Sequence, residues 1–456
     1  MHQSASLVWF RQDLRLRDNQ ALLAAVRRGG PVIPVFVWAP DEERPWAPGR
    51  ASRWWLAHSL AALDDALRQR GSRLTVRRGP TVKALLKLAS ECGADTVFWN
   101  RRYEPAAVAR DERVKTAIAS EIFESTLLFE PGRILNGAGR PYQVFSAFWR
   151  ACQAMPEPPA PERAPASIPG PSSWPKSETQ PGDATAIEGW QPGEAGAQER
   201  LRHFLKRAGS YATDRDRPDH EGTSRLSPHL HFGEIGPRQI WHALRSNEAY
   251  LRELAWREFA YHLLFHFPRT PDEPFRPRQR ESSRKLDLRG LRLWQTARTG
   301  YPIVDAGMRQ LLETGWMHNR VRMLVASFLV KDLLIDWREG AAWFWDKLVD
   351  ADLANNTLNW QWVAGCGADA SPWFRIFNPV TQGEKFDPQG DYVRRWLPQL
   401  SRLPAAWIHK PWEAPASVLS AAGVQLGRTY PRPIVDHREA SERVRVGQAS
   451  TPAAGL

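Results

Sequence analysis

A pair of carboxylates, a pair of adjacent amides and three indoles stand out in one stretch of this chain, DADLANNTLNWQWVAGCGADASPWFRIFNP, from Asp350 to Pro379. The side chains are Asp350, Asp352, Asn355, Asn356, Trp360, Trp362 and Trp373. Asp and Asn compete with the helical backbone for hydrogen bonds, so the run suits a helix start or a turn. Buried, such groups cost free energy unless each finds a partner. A planar, partly charged ligand lying against aromatic walls would supply those partners. A helix cap beside core tryptophans would supply them too.

Three further stretches carry chemistry. YATDRDRPDHEGTSRLS, Tyr211–Ser227, sets Thr223, Ser224 and Ser227 around Arg225. Hydroxyls and backbone N–H groups at a helix start, with an arginine, form a phosphate cradle. An ordinary N-cap with a surface arginine fits the same letters. In YLRELAWREF, helical spacing puts Tyr250, Glu253, Trp256 and Arg257 on one face. They could stack on and hydrogen-bond a base-like substrate, or be a Glu253–Arg257 pair beside a core tryptophan. In GWMHNRVRMLVASF, Val321, Leu324, Val325 and Phe328 form a core stripe, with Asn319, Arg322 and Met323 on an adjacent face and Arg320 further round. Arg322 is a natural counter-charge for Asp350, or part of a solvated face.

The elements that must position these groups fall into two kinds. Up to about residue 130, the apolar runs SLVWF, VIPVFVW, RLTVR, DTVFWN and STLLF alternate with amphipathic stretches. This predicts an α/β domain on a parallel, Rossmann-like sheet, although no GxGxxG follows the first strand. Ligands of such sheets sit beyond the strand C-termini, which points to Trp9–Leu14, Trp38 and Asn100–Glu104. Ten prolines between Pro156 and Pro192 mark an inter-domain connector, draped over the surface or mobile. Beyond residue 196 the periodicity is helical, predicting a large all-α domain. The expected division is 1–130, a connector over 131–196 that is proline-rich from about 156, a helical domain over 197–436, and a disordered tail over 437–456.

With 456 residues the chain can hold two or more cores. A net charge of +12 suggests a polyanionic partner such as nucleic acid. The 22 tryptophans suit stacking on bases or flavins. Three cysteines, Cys92, Cys152 and Cys366, make neither a pairable framework nor a CxxC site, so a reducing cytoplasm and no structural metal are expected. No run reads as a signal peptide or a membrane span.

In order along the chain, TSRLSPHLHFGE, WREF, TGYPIVDAGMRQL, MHNRVRM, DADLANN…WQW and FRIFNPVTQGEKFDP resemble the photolyase/cryptochrome flavoprotein family. WFRQDLRLRDN and NRRYEP are similar to its N-terminal antenna domain. Within the family the likeness is to the cyclobutane pyrimidine dimer (CPD) photolyases. The resemblance implies light-driven electron transfer from reduced FAD to a flipped-out dimer in DNA, by a monomer working at the nucleoid. The alternative is a cryptochrome-like blue-light signalling flavoprotein without repair activity.

The resemblance also implies roles. Tyr211, Thr223, Ser224, Arg225, Leu226 and Ser227 would hold FAD near its phosphates. Tyr250, Arg322, Asp350, Asp352 and Asn356 would surround the isoalloxazine, with the Asn356 amide at flavin N5. Trp256 and Trp362 would sandwich the dimer, with Met323 against it. Glu253 would hydrogen-bond the dimer and Asn319 would contact the same carbonyl region. Arg215, Arg320 and Arg375 would meet DNA phosphates. Trp360 and then Trp337 match an electron-hopping chain, but its third position falls on Arg284, so Trp294, Trp343 or Trp345 would have to end it. Glu104 matches a carboxylate that holds an antenna, expected to be methenyltetrahydrofolate, with 8-hydroxy-deazaflavin or none as alternatives. Asn319 and Met323 stand where relatives specific for the (6-4) lesion carry histidines, which favours CPD chemistry.

Overall fold

The structure, a computed structural model, describes residues 4–179, 181–182, 187–276, 286–372 and 375–449. Arg284 and Trp373 lie outside these.

Five strands, β1 (Ala5–Phe10), β2 (Val32–Trp38), β3 (Thr75–Arg78), β4 (Ala94–Asn100) and β5 (Ser120–Phe123), form one sheet in the order β3-β2-β1-β4-β5. Every pairing is parallel, with Leu7 opposite Ile33 and Val97. Helices α1 (Gln20–Arg28), α2 (Arg50–Arg68), α3 (Thr81–Cys92) and α4 (Pro105–Ala117) alternate with the strands, as the apolar periodicity predicts. Leu7, Trp9, Ile33, Val35, Val97 and Trp99 bury one face of the sheet against Leu85 and Leu88 of α3 and Val114 of α4. The Asn19 side chain accepts from the Leu22 N–H and so starts α1.

The expected strand at STLLF is not one. The edge strand is the preceding, half-exposed SEIF. The N–H groups of Leu128 and Phe129 leave the ladder and donate to the buried Glu258 carboxylate at 2.8 and 3.2 Å.

The proline-rich segment runs along the α/β layer. Ile168 N–H donates to Arg70 O, Val32 N–H to Pro169 O, and Glu178 N–H to Val76 O. Just before it, within the region expected to be connector, lies a packed helix, α5 (Phe145–Gln153), with Phe145, Phe148, Trp149 and Cys152 buried.

The remaining helices are α6 (Glu194–Leu205), α7 (Tyr211–Asp214), α8 (Ser227–His231), α9 (Pro237–Ala243), α10 (Glu248–His266), α11 (Leu288–Gln295), α12 (Pro302–Thr314), α13 (Asn319–Ser327), α14 (Trp337–Lys347), α15 (Leu353–Ala364), α16 (Pro379–Phe386), α17 (Asp391–Trp396), α18 (Ala405–Ile408), α19 (Ala416–Ala422) and α20 (His437–Ala449). Helix α13 gives way to a π turn, Phe328–Asp332, with Leu334 at φ 55°. The segment from 437 to 449 is a helix rather than a disordered tail. His437 pairs with the buried Asp332, and Ala440 and Val444 are buried, which offsets the polar composition.

Compactness divides the chain into two units that do not follow the composition boundary near 196. The first is Met1–Gly209, Ser224–Arg269 and Val349–Asn355, and the second is Ser210–Thr223, Thr270–Leu348 and Asn356–Leu456. Within the first, Leu14 N–H donates to Phe232 O at 3.0 Å and Arg238 pairs with Asp18 at 2.7 Å. Helices α8 and α9 are thereby bonded to the α/β layer. Among the described residues no helix is long and apolar enough to cross a membrane.

Candidate functional site

In the first unit, Ser227 Oγ donates to Asp350 Oδ2 at 2.6 Å. Ser224 Oγ lies 2.8 Å from the Tyr250 hydroxyl and accepts from Leu226 N–H at 3.3 Å. Between the serines Arg225 takes φ 52°, and its guanidinium lies over the Trp190 ring at 4.4 Å. Leu226 is buried beneath this turn. Tyr250 is held at the first turn of α10, where the Asn247 side chain accepts from its N–H at 3.0 Å. Burial pushes the Tyr250 hydroxyl up to about 12, so it stays protonated and can donate.

Asp352 is buried among donors. The Tyr261 hydroxyl donates to it, Asn355 gives its N–H and its side-chain amide at 2.8 Å each, and His231 Nδ1 stands 3.7 Å away. Burial alone would raise this carboxyl, but His231, Arg257 and Tyr261 outweigh burial and hold it well below the usual carboxylate range.

On α10, Glu253 and Trp256 are half-buried. The Trp256 indole lies flat on Phe145 of α5, ring centroids 3.7 Å apart. Arg257, expected on the face of Trp256, instead donates to Glu258 at 3.1 Å and to Thr126 O at 3.2 Å. Burial pushes Glu258 up to about 7 against those donors. Glu104 is buried too. Arg102 takes both its oxygens, at 2.9 and 3.1 Å, and also pairs with Glu43. The pair orients the Glu104 carboxylate and leaves it lone pairs for further donors.

In the second unit, α13 presents the called side chains. His318 Nδ1 accepts from Arg320 N–H at 3.2 Å and caps the helix. Burial lowers the imidazole to about 4, with help from Arg320, Arg322 and Arg215, so it is the neutral ring that caps. Asn319 is exposed, while Arg322 and Met323 are half-buried. Arg320 pairs with Asp216 at 2.6 Å and lies over Phe386 at 4.5 Å. Arg322 Nε donates to Met317 O at 2.7 Å. Tyr211 is buried under the Arg215 guanidinium, 5.4 Å from its ring centroid. Thr223 and Trp362 are half-buried and Arg375 is exposed.

The Asn356 side-chain N–H donates to Ala341 O at 3.1 Å, which fixes the amide plane. Four residues on, Trp360 is buried with ring neighbours Phe344 at 5.0 Å and Trp294 at 6.4 Å. A Cβ at Gly340 would come within 2.0 Å of that indole, so glycine is required there for the ring to lie on α14. Trp337, one turn earlier on α14, is buried.

Comparisons with known proteins bear on these groups. The family described as the FAD binding domain of DNA photolyase matches residues 250–448, and the one described as DNA photolyase matches 6–166. A deoxyribodipyrimidine photo-lyase of Agrobacterium fabrum is 50% identical, covering 97% of each chain. The chain belongs to the photolyase/cryptochrome family. Cryptochrome-1 of Arabidopsis thaliana is 42% identical, over 96% of this chain and 69% of its own. A crystal structure of a bacterial class III photolyase from Agrobacterium tumefaciens superimposes with a TM-score of 0.94 at 49% identity, covering 98% of each chain.

Sequence reasoning about this photolyase/cryptochrome chain missed several residues that hold the candidate site. Tyr261 and His231 fix Asp352, His318 caps α13, and Phe145 backs Trp256. His318 had a visible signal, a short polar residue before a helical stripe. Phe145 had none, because its partner lies on another helix.

Proposed function

We propose that this chain is a deoxyribodipyrimidine photolyase, which repairs cyclobutane pyrimidine dimers in DNA under blue light. The likeness to a deoxyribodipyrimidine photo-lyase over 97% of both chains at 50% identity carries the reading. FAD, when bound and reduced, supplies the light-driven electron that opens the dimer.

The chain's own residues bind, orient and shield. In the first unit Ser224, Arg225, Leu226 and Ser227 serve the cofactor's phosphates, with Tyr250, Asp350 and Asp352 near its polar edge. In the second unit Tyr211, Thr223, Arg322 and Asn356 have cofactor roles, with the Asn356 amide held by its bond to Ala341 O. The lesion is flipped from the duplex, at modest cost because damaged bases stack poorly. By likeness to the family, Trp256 and Glu253 of the first unit, and Trp362, Met323 and Asn319 of the second, have lesion roles. The indoles offer stacking surfaces, and Glu253 and Asn319 hydrogen-bond carbonyls. Arg215, Arg320 and Arg375 meet phosphates and make binding salt-dependent. Trp360 and Trp337 return electrons to oxidised cofactor. An antenna, methenyltetrahydrofolate in this reading, has Glu104 as its carboxylate ligand. The protein acts as a monomer on nucleoid DNA.

The test is light-dependent repair. Purified, reduced protein mixed with an oligonucleotide holding one thymine dimer restores thymines under blue light and not in the dark. Bound flavin with no restored thymine under light would favour the signalling alternative.

A further inference from the structure

Phe145 and Trp256 lie ring on ring, with planes 7° apart and centroids 3.7 Å apart. Offset or edge-on aromatic pairs more usually sit 4.5–7 Å apart, so this is close face-to-face packing. Phe145 is only 1% exposed and is held from other sides. The Phe259 ring meets it edge-on at 5.9 Å, and the Arg252 guanidinium sits 5.0 Å from its centroid. Phe145 is also the first residue of α5, a helix whose buried Phe148 packs against Phe259 of α10 at 5.2 Å. The ring therefore cannot turn without disturbing two helices. Trp256, in contrast, is half-buried. One face of its indole lies on a fixed plane, and the side chain still reaches solvent.

We propose that Phe145 is a positioning residue for lesion recognition, fixing the Trp256 indole so that its other face is presented as a flat wall to a flipped base. This rests on the repair reading above and deepens it. Stacking on an indole is worth most when the ring is already held in the bound plane, because no rotamer freedom is then lost on binding. Undamaged duplex, which keeps its bases stacked, does not use the wall. Loss of Phe145 should then lower affinity for dimer-containing DNA and leave affinity for undamaged DNA unchanged. General damage to the fold would lower both.

The experiment measures the ratio of the two affinities in flavin-loaded protein. Phe145→Leu is expected to reduce the ratio roughly five- to tenfold, the worth of an aromatic pair, with flavin content and undamaged-DNA affinity kept. Phe145→Tyr keeps the ring and is expected to restore the ratio. In a Trp256→Ala background, Phe145→Leu is expected to cost nothing further, because the wall it supports is gone. Should Phe145→Leu fail to load flavin, Phe145→Met, which fills more of the volume without a ring plane, is read by the same ratio. A wild-type ratio in the ring-less variant, or an undiminished further loss in the Trp256→Ala background, overturns the proposal. Equal wild-type affinity for both DNAs overturns the repair reading and this proposal with it.

Discussion

Ser227 donates its hydroxyl hydrogen to Asp350 at 2.6 Å across 123 residues of sequence. The bond ties the serine-rich turn before α8 to the carboxylate that opens the Asp/Asn cluster. Two motifs read separately from the sequence are thus one constellation in the first unit. A hydrogen bond to a charged group is worth about 1.5–3 kcal/mol, and its loss leaves Asp350 short of a donor. Ser227→Ala is therefore expected to weaken FAD binding by roughly tenfold or more. A flavin-fluorescence titration of apoprotein checks it, and unchanged affinity would separate this turn from the cofactor.

His318 gives a pH dependence with a definite sign. Burial lowers its folded value to about 4 from the ordinary 6.5, so the folded state favours the neutral ring. The contribution is fully present above pH 6.5 and is lost as pH falls towards 4. It amounts to roughly 3 kcal/mol at most. His318→Asn keeps a capping acceptor but does not titrate, so its melting temperature should fall less between pH 7 and pH 5 than that of wild type. Parallel melting curves over that window would contradict the assignment.

Glu253 is assigned to the dimer rather than the cofactor. Glu253→Ala should lower the light-driven repair yield roughly tenfold, the order expected for one charge-assisted hydrogen bond. Flavin content should stay at the wild-type level. Quantitative photorepair at saturating light, with flavin absorbance recorded on the same sample, reads both. A variant repairing at full yield would remove Glu253 from the chemistry.

Trp360 has Trp294 as a ring neighbour at 6.4 Å, and both pack on Phe344. Trp294 is one of the three indoles that could replace the missing third member at Arg284. It is fully buried and stands beside Trp360, so it is a partner of the first member and not a surface terminus. Trp360→Phe should abolish photoreduction of oxidised flavin by external donors, and Trp294→Phe should slow it severalfold. Neither should affect repair by chemically reduced protein. Bleaching of the flavin band under illumination measures the first, and repair after dithionite the second.

Much of the fold was legible because short apolar runs and amphipathic stretches alternate cleanly through the first 100 residues. The misplaced fifth strand shows the limit. STLLF is the more apolar string, yet SEIF forms the edge strand, where half-exposure tolerates a glutamate. The N–H groups of Leu128 and Phe129 are claimed by Glu258, a partner remote in sequence. The helix at 437–449 was hidden for the same reason, since Asp332 anchors it through His437. At the site, residues grouped within one motif, such as Ser224 with Ser227 or Glu253 with Trp256, could be read from spacing. Arg257 could not, because its choice of Glu258 and Thr126 depends on how α10 meets the loop after β5. The pairing of Glu104 with its near neighbour Arg102 was likewise not read from the sequence.

The most direct test of the central claim is thymine recovery from a dimer-bearing oligonucleotide, compared between wild type and Trp256→Ala at equal flavin occupancy and sub-saturating DNA. Light-dependent recovery in wild type that drops sharply in the variant and vanishes in darkness is the predicted result. No recovery by fully reduced, flavin-loaded wild type would contradict the account.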